Sequence, residues 1–240
     1  MAVVIPALDE ERSIGRVIAD LPPRFRSRVV VCDNGSTDGT ARRAREAGAA
    51  VVFEPERGYG AACLRALGEV ARHPPDLVVF LDADYSDHPG DIVGLVAPLD
   101  RDEADLVIGS RTAGERAPGA LTLQARFGNA LATRLIAWFF GVRFTDLGPF
   151  RAIRWEALER MHMRDRDFGW TVEMQIKAAR MGLRCAEVPV SYRRRIGTSK
   201  ISGTLRGTVL AGRKILWWIF KEALRRRSET PCSSRNTSRS

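Results

Sequence analysis

Short runs of valine, isoleucine and leucine alternate with amphipathic helical patterns through the first half of the chain. The predicted strands cover residues 2–5, 28–32, 50–53, 77–82 and 105–109, and the predicted helices cover about residues 9–21, 40–47, 60–72 and 89–99. The strands are continuously apolar instead of alternating, which indicates burial on both faces. This pattern predicts an α/β fold with a doubly wound, mostly parallel central sheet and helices on both faces.

Polar residues gather where the predicted strands stop. They form five segments, at residues 6–11, 33–39, 56–60, 82–87 and 109–114. The carboxyl ends of parallel strands meet at one edge of a sheet, and ligands of such sheets bind beyond that edge. The sequence therefore predicts that these five segments surround a single binding site.

Asp82 and Asp84 flank one alanine at the tip of the strand 77–82. Two carboxylates in this spacing can hold Mg²⁺ or Mn²⁺ and leave coordination positions for phosphate oxygens. An acidic turn after a strand gives the same triplet and is the commoner cause of it. The triplet by itself therefore favours an acidic turn, and the prediction of a metal site depends on the neighbouring segments.

Two of those segments suit a nucleotide. Asp33 ends the strand 28–32, where its carboxylate can accept hydrogen bonds from a base or a ribose, whereas Asp38 suits a helix N-cap equally well. Arg57 precedes Gly58 and Gly60 at the start of a predicted helix, which permits an anion to approach the backbone closely. The third glycine of the dinucleotide fingerprint is missing, so an NAD site is not indicated.

The second half of the chain is less regular. Helices are predicted at about residues 120–140, 155–162 and 170–181, with a strand over residues 186–192. We predict one domain over residues 1–202, an amphipathic helical tail over residues 203–227 and a disordered polar end over residues 228–240.

The net charge of +9 is concentrated near the C-terminus. Residues 193–227 contain eleven lysines and arginines and one acid, Glu222, which indicates contact with phosphate, anionic lipid or nucleic acid. Aromatic residues do not interleave with these cations as stacking platforms would, so nucleic acid is not favoured. The apolar cluster at residues 215–220 is far shorter than the roughly 20 residues of a membrane span, so the tail either touches a membrane surface or packs on the domain.

The four cysteines show no paired spacing, which favours a reducing compartment. Together with the basic tail, this predicts a cytoplasmic location at the inner face of the membrane.

Seven segments resemble, in order, the inverting family-2 glycosyltransferases of the GT-A fold, in the branch of the dolichyl-phosphate and polyprenyl-phosphate mannose and glucose synthases. They read VVIPALDEE, VCDNGSTDGT, RGYGAA, LDADYSDHP, IGSR, DLGPFRAIR and RRRIGTSK. The resemblance implies metal-dependent transfer of a sugar from a UDP-sugar or GDP-sugar to a polyprenyl phosphate, with Mg²⁺ or Mn²⁺ as cofactor. A sugar or small-molecule hydroxyl as acceptor is the alternative.

The resemblance also implies a donor site. Its nucleotide-binding residues would be Pro6, Ala7, Glu10, Asp33 and Gly60, its diphosphate-binding residues Asp82, Ala83, Asp84, Arg194 and Lys200, and its metal ligands Asp84 with Ser86 or Asp87. Arg111 would bind the donor phosphates or the acceptor phosphate. Asp82, Asp84, Arg194 and Lys200 would take part in catalysis, the last two from a loop that closes over the diphosphate.

The acceptor side implied by the resemblance consists of Arg126, Asn129, Asp146, Arg151 and Glu173. A phosphate monoester, whose second pKa is about 6, is already largely ionised at pH 7 and needs cations, not a general base. No histidine falls in any of the motifs. Asp146 and Glu173 are the candidates for a general base if the acceptor is a hydroxyl.

Overall fold

The computed structural model describes residues 1–197 and 205–229. Seven strands in this part of the chain form one sheet in the order β3-β2-β1-β4-β6-β5-β7. The strands are β1 (Ala2–Ala7), β2 (Val29–Asp33), β3 (Ala50–Phe53), β4 (Leu77–Phe80), β5 (Leu106–Ser110), β6 (Arg151–Arg154) and β7 (Cys185–Pro189). The helices are α1 (Ile14–Asp20), α2 (Pro23–Arg26), α3 (Thr40–Glu46), α4 (Tyr59–Val70), α5 (Ile92–Asp100), α6 (Leu123–Phe140), α7 (Trp155–Met161), α8 (Trp170–Arg180) and α9 (Leu205–Glu229).

The sheet is covered by helices on both faces, as the continuous apolar strands predict. Val3, Val31 and Val79 point to one core, which α1, α2, α3 and α5 close. Val4 and Val30 point to the other core, which α4, α6, α7, α8 and α9 close. β1 pairs in parallel with β2 and β4, β2 with β3, and β5 with β7. The predicted doubly wound, mostly parallel sheet is therefore confirmed.

β6 is the strand that sequence analysis missed. It runs antiparallel between β4 and β5, pairing Ile153 with Val78 and Ala152 with Val107. Its four residues begin and end with arginine, a pattern that does not predict a buried strand. Arg151 is nevertheless fully buried, because its guanidinium donates to the carbonyls of Leu147, Gly148 and Thr171.

One face of α9 belongs to the core. Trp218 and Ile219 are buried, and Trp218 Nε1 donates to Asp165 Oδ2 at 2.6 Å. Lys214 Nζ lies 3.2 Å from the same oxygen. Helix α9 runs from Leu205 to Glu229 and packs on the domain, so residues 228 and 229, which are predicted to belong to the disordered end, are helical instead. The predicted boundary at residue 202 and residues 230–240 of the predicted disordered end lie outside the described residues.

Within residues 1–197 and 205–229, every helix is either too short or too polar to cross a lipid bilayer.

Candidate active site

A cavity of about 400 Å³ opens at the carboxyl ends of β1, β2 and β4. β1 lies between β2 and β4, so the chain winds away from it in both directions, and the crevice at such a reversal is where open α/β sheets bind ligands. Six of the residues predicted for the donor site line this cavity: Pro6, Ala7, Glu10, Asp82, Ala83 and Asp84. Arg57 and Gly58, predicted to admit an anion, line it as well, and so do Tyr59, Phe168 and Arg195, for which the sequence predicted no role.

Asp84 is the least exposed of the carboxylates that line the cavity. It is 3% exposed, its Oδ1 accepts from the backbone N–H of Ser86 at 2.8 Å, and its Oδ2 forms an ion pair with Arg195. Asp82 Oδ1 accepts from the hydroxyl of Tyr59 at 3.1 Å. Burial first, and then the charge of Asp84, raise the pKa of Asp82 to about 7.

Asp87 is buried behind these two carboxylates, and neither of its oxygens accepts a hydrogen bond within the described residues. Burial first, and then the charges of Asp82 and Asp84, raise its pKa well above the ordinary value. A buried carboxylate without a donor is unfavourable unless a cation or a proton meets it. Ser86, the alternative ligand, is also buried, and its backbone carbonyl accepts from Arg193 N at 2.9 Å.

These oxygens fit Mg²⁺ or Mn²⁺ by chemistry, since both ions prefer carboxylate ligands. In the described part of the chain, no three acidic, histidine or cysteine side chains converge closely enough to enclose an ion unaided. Ions of this class are commonly held by one or two carboxylates together with substrate phosphates and water. The site therefore suits a metal that is completed by its substrate.

Backbone strain marks two loops of the site. Asp9 follows β1 with φ 51°, and Tyr85 follows Asp84 with φ 64°, both in the left-handed region that non-glycine residues rarely adopt. Asp9 Oδ1 accepts from Thr37 N at 2.7 Å, and the guanidinium of Arg193 lies 3.4 Å from the centre of the Tyr85 ring. These contacts fix the loops at the strand ends.

The end of β2 is organised by its own polar side chains. Asp33 is 8% exposed, and its Oδ1 accepts from Ser36 N at 3.0 Å. Asn34 lines the cavity and binds the neighbouring loop, since its Oδ1 accepts from Gly58 N at 2.8 Å. Asp38 Oδ1 accepts from Thr40 N at 3.0 Å, but the N-cap of α3 is Gly39, one residue after the predicted position. Asp33 therefore sits beside the cavity, where it is predicted to contact the nucleotide.

Gly58 and Gly60 have no side chain, which allows the loop of residues 164–169 to approach the cavity. A Cβ atom at Gly58 would lie 2.1 Å from the carbonyl oxygen of Arg166, and one at Gly60 would lie 2.0 Å from that of Asp165. These glycines therefore let α4 press against the backbone of residues 164–169. Through that contact Asp167 and Phe168 reach the cavity.

The Gly60→Ala substitution tests this contact. We expect it to lower the free energy of unfolding by about 3 kcal/mol, because a backbone carbonyl cannot yield to the new methyl group. Gly68→Ala is the matched control on the same helix, since nothing lies within 4 Å of its Cβ position, and it should stabilise by about 0.5–1 kcal/mol. Urea unfolding of both variants checks this, and equal stabilities would contradict the close approach.

Asp146 holds Arg111 by three contacts. Arg111 donates from its backbone N, Nε and Nη2 to the two oxygens of Asp146 at 2.7–2.8 Å. Asp146 is fully buried, whereas the Arg111 side chain is 13% exposed. With both oxygens engaged, Asp146 is placed to orient Arg111. To act as a general base, Asp146 would instead need a carboxylate oxygen that does not already accept a hydrogen bond from Arg111.

The other residues predicted for the acceptor side lie in different parts of the structure. Arg126 is exposed on α6, and Asn129 ties α6 to the loop before β6 by accepting from Leu147 N and donating to the carbonyl of Thr145. Arg151 is buried among the backbone carbonyls described above. Its pKa is lowered to about 10 by burial. The geometry brings Asn129, Asp146 and Arg151 around one loop and leaves Arg126 at the surface.

Glu173 is fully buried away from the cavity lining. Its oxygens accept from the backbone N–H of Arg164 and of Asp165, the latter at 2.7 Å, and Lys177 Nζ lies 2.6 Å from Oε1. These donors leave Glu173 no free face toward an acceptor. Glu173 therefore holds the loop 164–169 and is not part of the proposed acceptor site.

Three consecutive arginines, Arg193 to Arg195, lie near the end of the described range 1–197, and each has a different partner. Arg193 Nε donates to the carbonyl of Tyr85 at 2.6 Å, and Arg194 Nε donates to that of Pro118 at 2.8 Å. Arg195 lines the cavity and pairs with Asp84. The cation beside the carboxylates is thus Arg195, whereas sequence analysis selected Arg194. Lys200 lies outside the described residues.

A seven-stranded, mostly parallel sheet with helices on both faces and a carboxylate-lined crevice at its point of reversal matches the GT-A fold. The chain belongs to glycosyltransferase family 2, since the sequence profile described as "Glycosyl transferase family 2" matches residues 2–161.

Three similar proteins support this membership. An uncharacterized glycosyltransferase of Mycobacterium tuberculosis is 41% identical over 88% of this chain and 94% of its own length. A dolichyl-phosphate hexose transferase of Haloferax volcanii is 33% identical over 94% and 96% of the two chains. The crystal structure of glucosyl-3-phosphoglycerate synthase from M. tuberculosis, in complex with Mn²⁺, UDP-glucose and phosphoglyceric acid, is 26% identical with a TM-score of 0.71, covering 92% of this chain and 79% of that one.

Proposed function

We propose that this glycosyltransferase transfers a hexose from a UDP-sugar or GDP-sugar to a polyprenyl phosphate, with the help of Mg²⁺ or Mn²⁺ and with inversion at the anomeric carbon. The observation that carries the proposal is the cavity at the ends of β1, β2 and β4, where Asp82 and Asp84 face Arg195. The similarity to a dolichyl-phosphate hexose transferase over nearly the whole chain supports the lipid acceptor.

The donor side of the proposal uses the lining residues. The backbone at Pro6 and Ala7, with Glu10 and Asp33 nearby, would contact the nucleoside, and the start of α4 at Gly58 and Gly60 would face the phosphates. Asp84, with Asp87 or Ser86, would hold the metal. When bound, the metal would stabilise negative charge on the departing diphosphate.

The protein's own cations would share in that stabilisation. Arg195 already lies in the cavity, and Arg194 and Lys200 belong to the same basic segment. Preorganised cations lower the barrier because the leaving diphosphate gains charge as the bond to the sugar breaks. No proton has to be removed from a phosphate monoester acceptor at neutral pH, so this part of the reaction requires positive charge around the acceptor.

The acceptor phosphate would be met by Arg111. Its guanidinium is oriented by Asp146, and it retains partial exposure and lies 5.2 Å from the ring of Tyr192. Asn129 fixes the loop that carries Asp146, and Arg126 would be a more peripheral contact. Such a fixed guanidinium suits a phosphate, because its donors are already aligned.

The test is transfer to lipid. We expect the purified protein with Mn²⁺, a radiolabelled UDP-hexose or GDP-hexose and a polyprenyl phosphate to yield a labelled product that is extracted into organic solvent. Omission of the metal or addition of EDTA should abolish it. Absence of any organic-phase product across the common UDP-hexoses and GDP-hexoses would overturn the lipid acceptor.

A small phosphorylated acceptor is the second candidate. The solved structure that resembles this chain with a TM-score of 0.71 is a synthase crystallised with phosphoglyceric acid. Labelled product that remains in the aqueous phase when phosphoglycerate replaces the lipid would select this alternative. The transfer would then go to a hydroxyl, and a general base would have to be sought among the carboxylates of the cavity.

A further inference from the structure

The outer face of α6 carries an apolar stripe. Leu123, Phe127 and Trp138 are 75%, 72% and 78% exposed, and Leu131 is also exposed. Spacings of four and seven residues place these side chains on one side of the helix. Ala132, Ile136 and Phe140 fill the core from its other side. Three such large, highly exposed apolar residues on one helix indicate a contact surface.

α9 carries a second stripe. Leu210, Trp217, Phe220 and Leu224 are between 43% and 66% exposed and repeat every three to seven residues. Trp218 and Ile219 anchor the opposite side of the helix in the core. α9 therefore packs on the domain through one face and presents an apolar face outward.

Aromatic contacts join the stripes into one surface. Trp138 stacks on Phe139 with ring centres 5.0 Å apart, and Phe139 meets Phe220 edge to face at 5.7 Å. We call the exposed residues of both stripes the α6–α9 face. A single exposed aromatic residue needs no explanation, but two adjoining stripes on packed helices do.

The charge on the α6–α9 face has one sign. α6 has no acid, and its Arg134 falls within the apolar stripe. Arg213 falls within the stripe of α9, and Lys221 Nζ lies 4.2 Å from the Trp217 ring. Glu222 is the one acid among the described side chains of the two helices, and it is 2% exposed. It is paired with Arg180 of α8.

We propose that the α6–α9 face binds the surface of an anionic lipid bilayer. Tryptophan and phenylalanine would enter the headgroup region while the interspersed arginines and lysines meet lipid phosphates. A second copy of the chain is a poorer occupant, because an isologous contact would bring the same cations together. The inference extends the proposed function, since a polyprenyl phosphate is met at a bilayer, and it adds α6 to the tail as a membrane-binding element.

Membrane contact through this face would also fix the orientation of the cavity. Trp218 and Lys214 of α9 bind Asp165, and Asp165 Oδ1 accepts from the backbone N–H groups of Asp167 and Gly169. The loop that carries Asp167 and Phe168 into the cavity is therefore tied directly to α9. If the outer face of α9 binds a bilayer, the donor site would stay at a constant distance from the bilayer surface.

Vesicle flotation without any nucleotide sugar tests the proposal independently of sugar transfer. The full chain is mixed with vesicles of phosphatidylcholine alone or of phosphatidylcholine and phosphatidylglycerol in equal amounts. We expect binding to the anionic vesicles that weakens as salt is raised. The double variant Trp138→Ser/Trp217→Ser should bind at least about tenfold more weakly, because each indole contributes apolar area.

Phe53→Ser is the matched control, since Phe53 is 57% exposed on the edge strand β3. It should bind as the parent protein does. Arg134→Glu, on the exposed side of α6, provides a variant that leaves the apolar residues intact and should also weaken binding. Undiminished flotation of the double variant and of Arg134→Glu would overturn the proposal. Equal binding to neutral vesicles, or a dimer that the double substitution dissociates without any vesicle binding, would overturn it as well.

Discussion

Asp84→Asn is expected to abolish the Mn²⁺-dependent binding of UDP or GDP and to lower sugar transfer by at least about a thousandfold. Asparagine keeps an oxygen to accept from Ser86 N, so the turn after β4 should survive the substitution. What is lost is the negative charge that a divalent cation needs. The measurement is a thermal shift with nucleotide, with and without Mn²⁺, because a ligand that binds only the folded state raises its stability.

Arg195→Gln is the control that separates two roles of Asp84. If Asp84 serves only as the partner of Arg195, both variants should lose nucleotide binding alike, because the ion pair is broken in each. If Asp84 binds the metal, Arg195→Gln should retain the Mn²⁺-dependent shift and lose mainly transfer rate, since a cation near the diphosphate is missing. A Mn²⁺-dependent shift that survives in Asp84→Asn would contradict the metal assignment.

The centre of the sheet was predictable because β1, β2, β4 and β5 are buried on both faces, which requires an uninterrupted apolar run. Val78 to Phe80 and Val29 to Cys32 satisfy this requirement and were recognised. β6 was not predicted because Arg151 and Arg154 flank only two apolar residues. The buried Arg151 donates to Thr171 O as well as to nearby carbonyls, and the half-buried Arg154 donates to Leu99 O of α5, and these distant partners are not visible in the local sequence.

The carboxylates of the site were predictable for a related reason, since residues that directly follow parallel strands must meet at one edge. Asp82 and Asp84 therefore could be placed from sequence. Phe168 could not, because it reaches the cavity from a loop more than eighty residues further along the chain. The close approach of that loop at Gly58 and Gly60 was a signal that sequence analysis interpreted as room for an anion alone.

In the basic segment, the local sequence could not predict which arginine lies beside the carboxylates. Three adjacent arginines at residues 193–195 are equivalent by composition, and the family pattern pointed to Arg194. Backbone direction decides among them, because successive side chains of an extended segment point to opposite sides. Arg194 donates a hydrogen bond to the carbonyl of Pro118, and Arg195 forms an ion pair with Asp84. Such a choice depends on a long-range fold that a local pattern does not contain.

Glu173→Gln is expected to lower the free energy of unfolding by about 3 kcal/mol while leaving the turnover number of the folded protein nearly unchanged. The carboxylate is fully buried, and it accepts from two backbone N–H groups and pairs with Lys177. An amide removes the charge and turns its own N–H₂ group toward one of these donors. Urea unfolding and steady-state kinetics, below the temperature at which the variant unfolds, measure the two effects.

Glu159→Gln on α7 is the control, because Glu159 is exposed and its replacement should change the stability by less than about 0.5 kcal/mol. A structural Glu173 also predicts a rise in the donor KM, since the loop 164–169 that it holds forms part of the cavity wall. A Glu173 that acts on the acceptor predicts the reverse, a turnover number that collapses while the free energy of unfolding and the donor KM stay at their original values. The buried donors around this carboxylate favour the first result, because a base already engaged by two amides and an ammonium group has no lone pair aimed at a substrate.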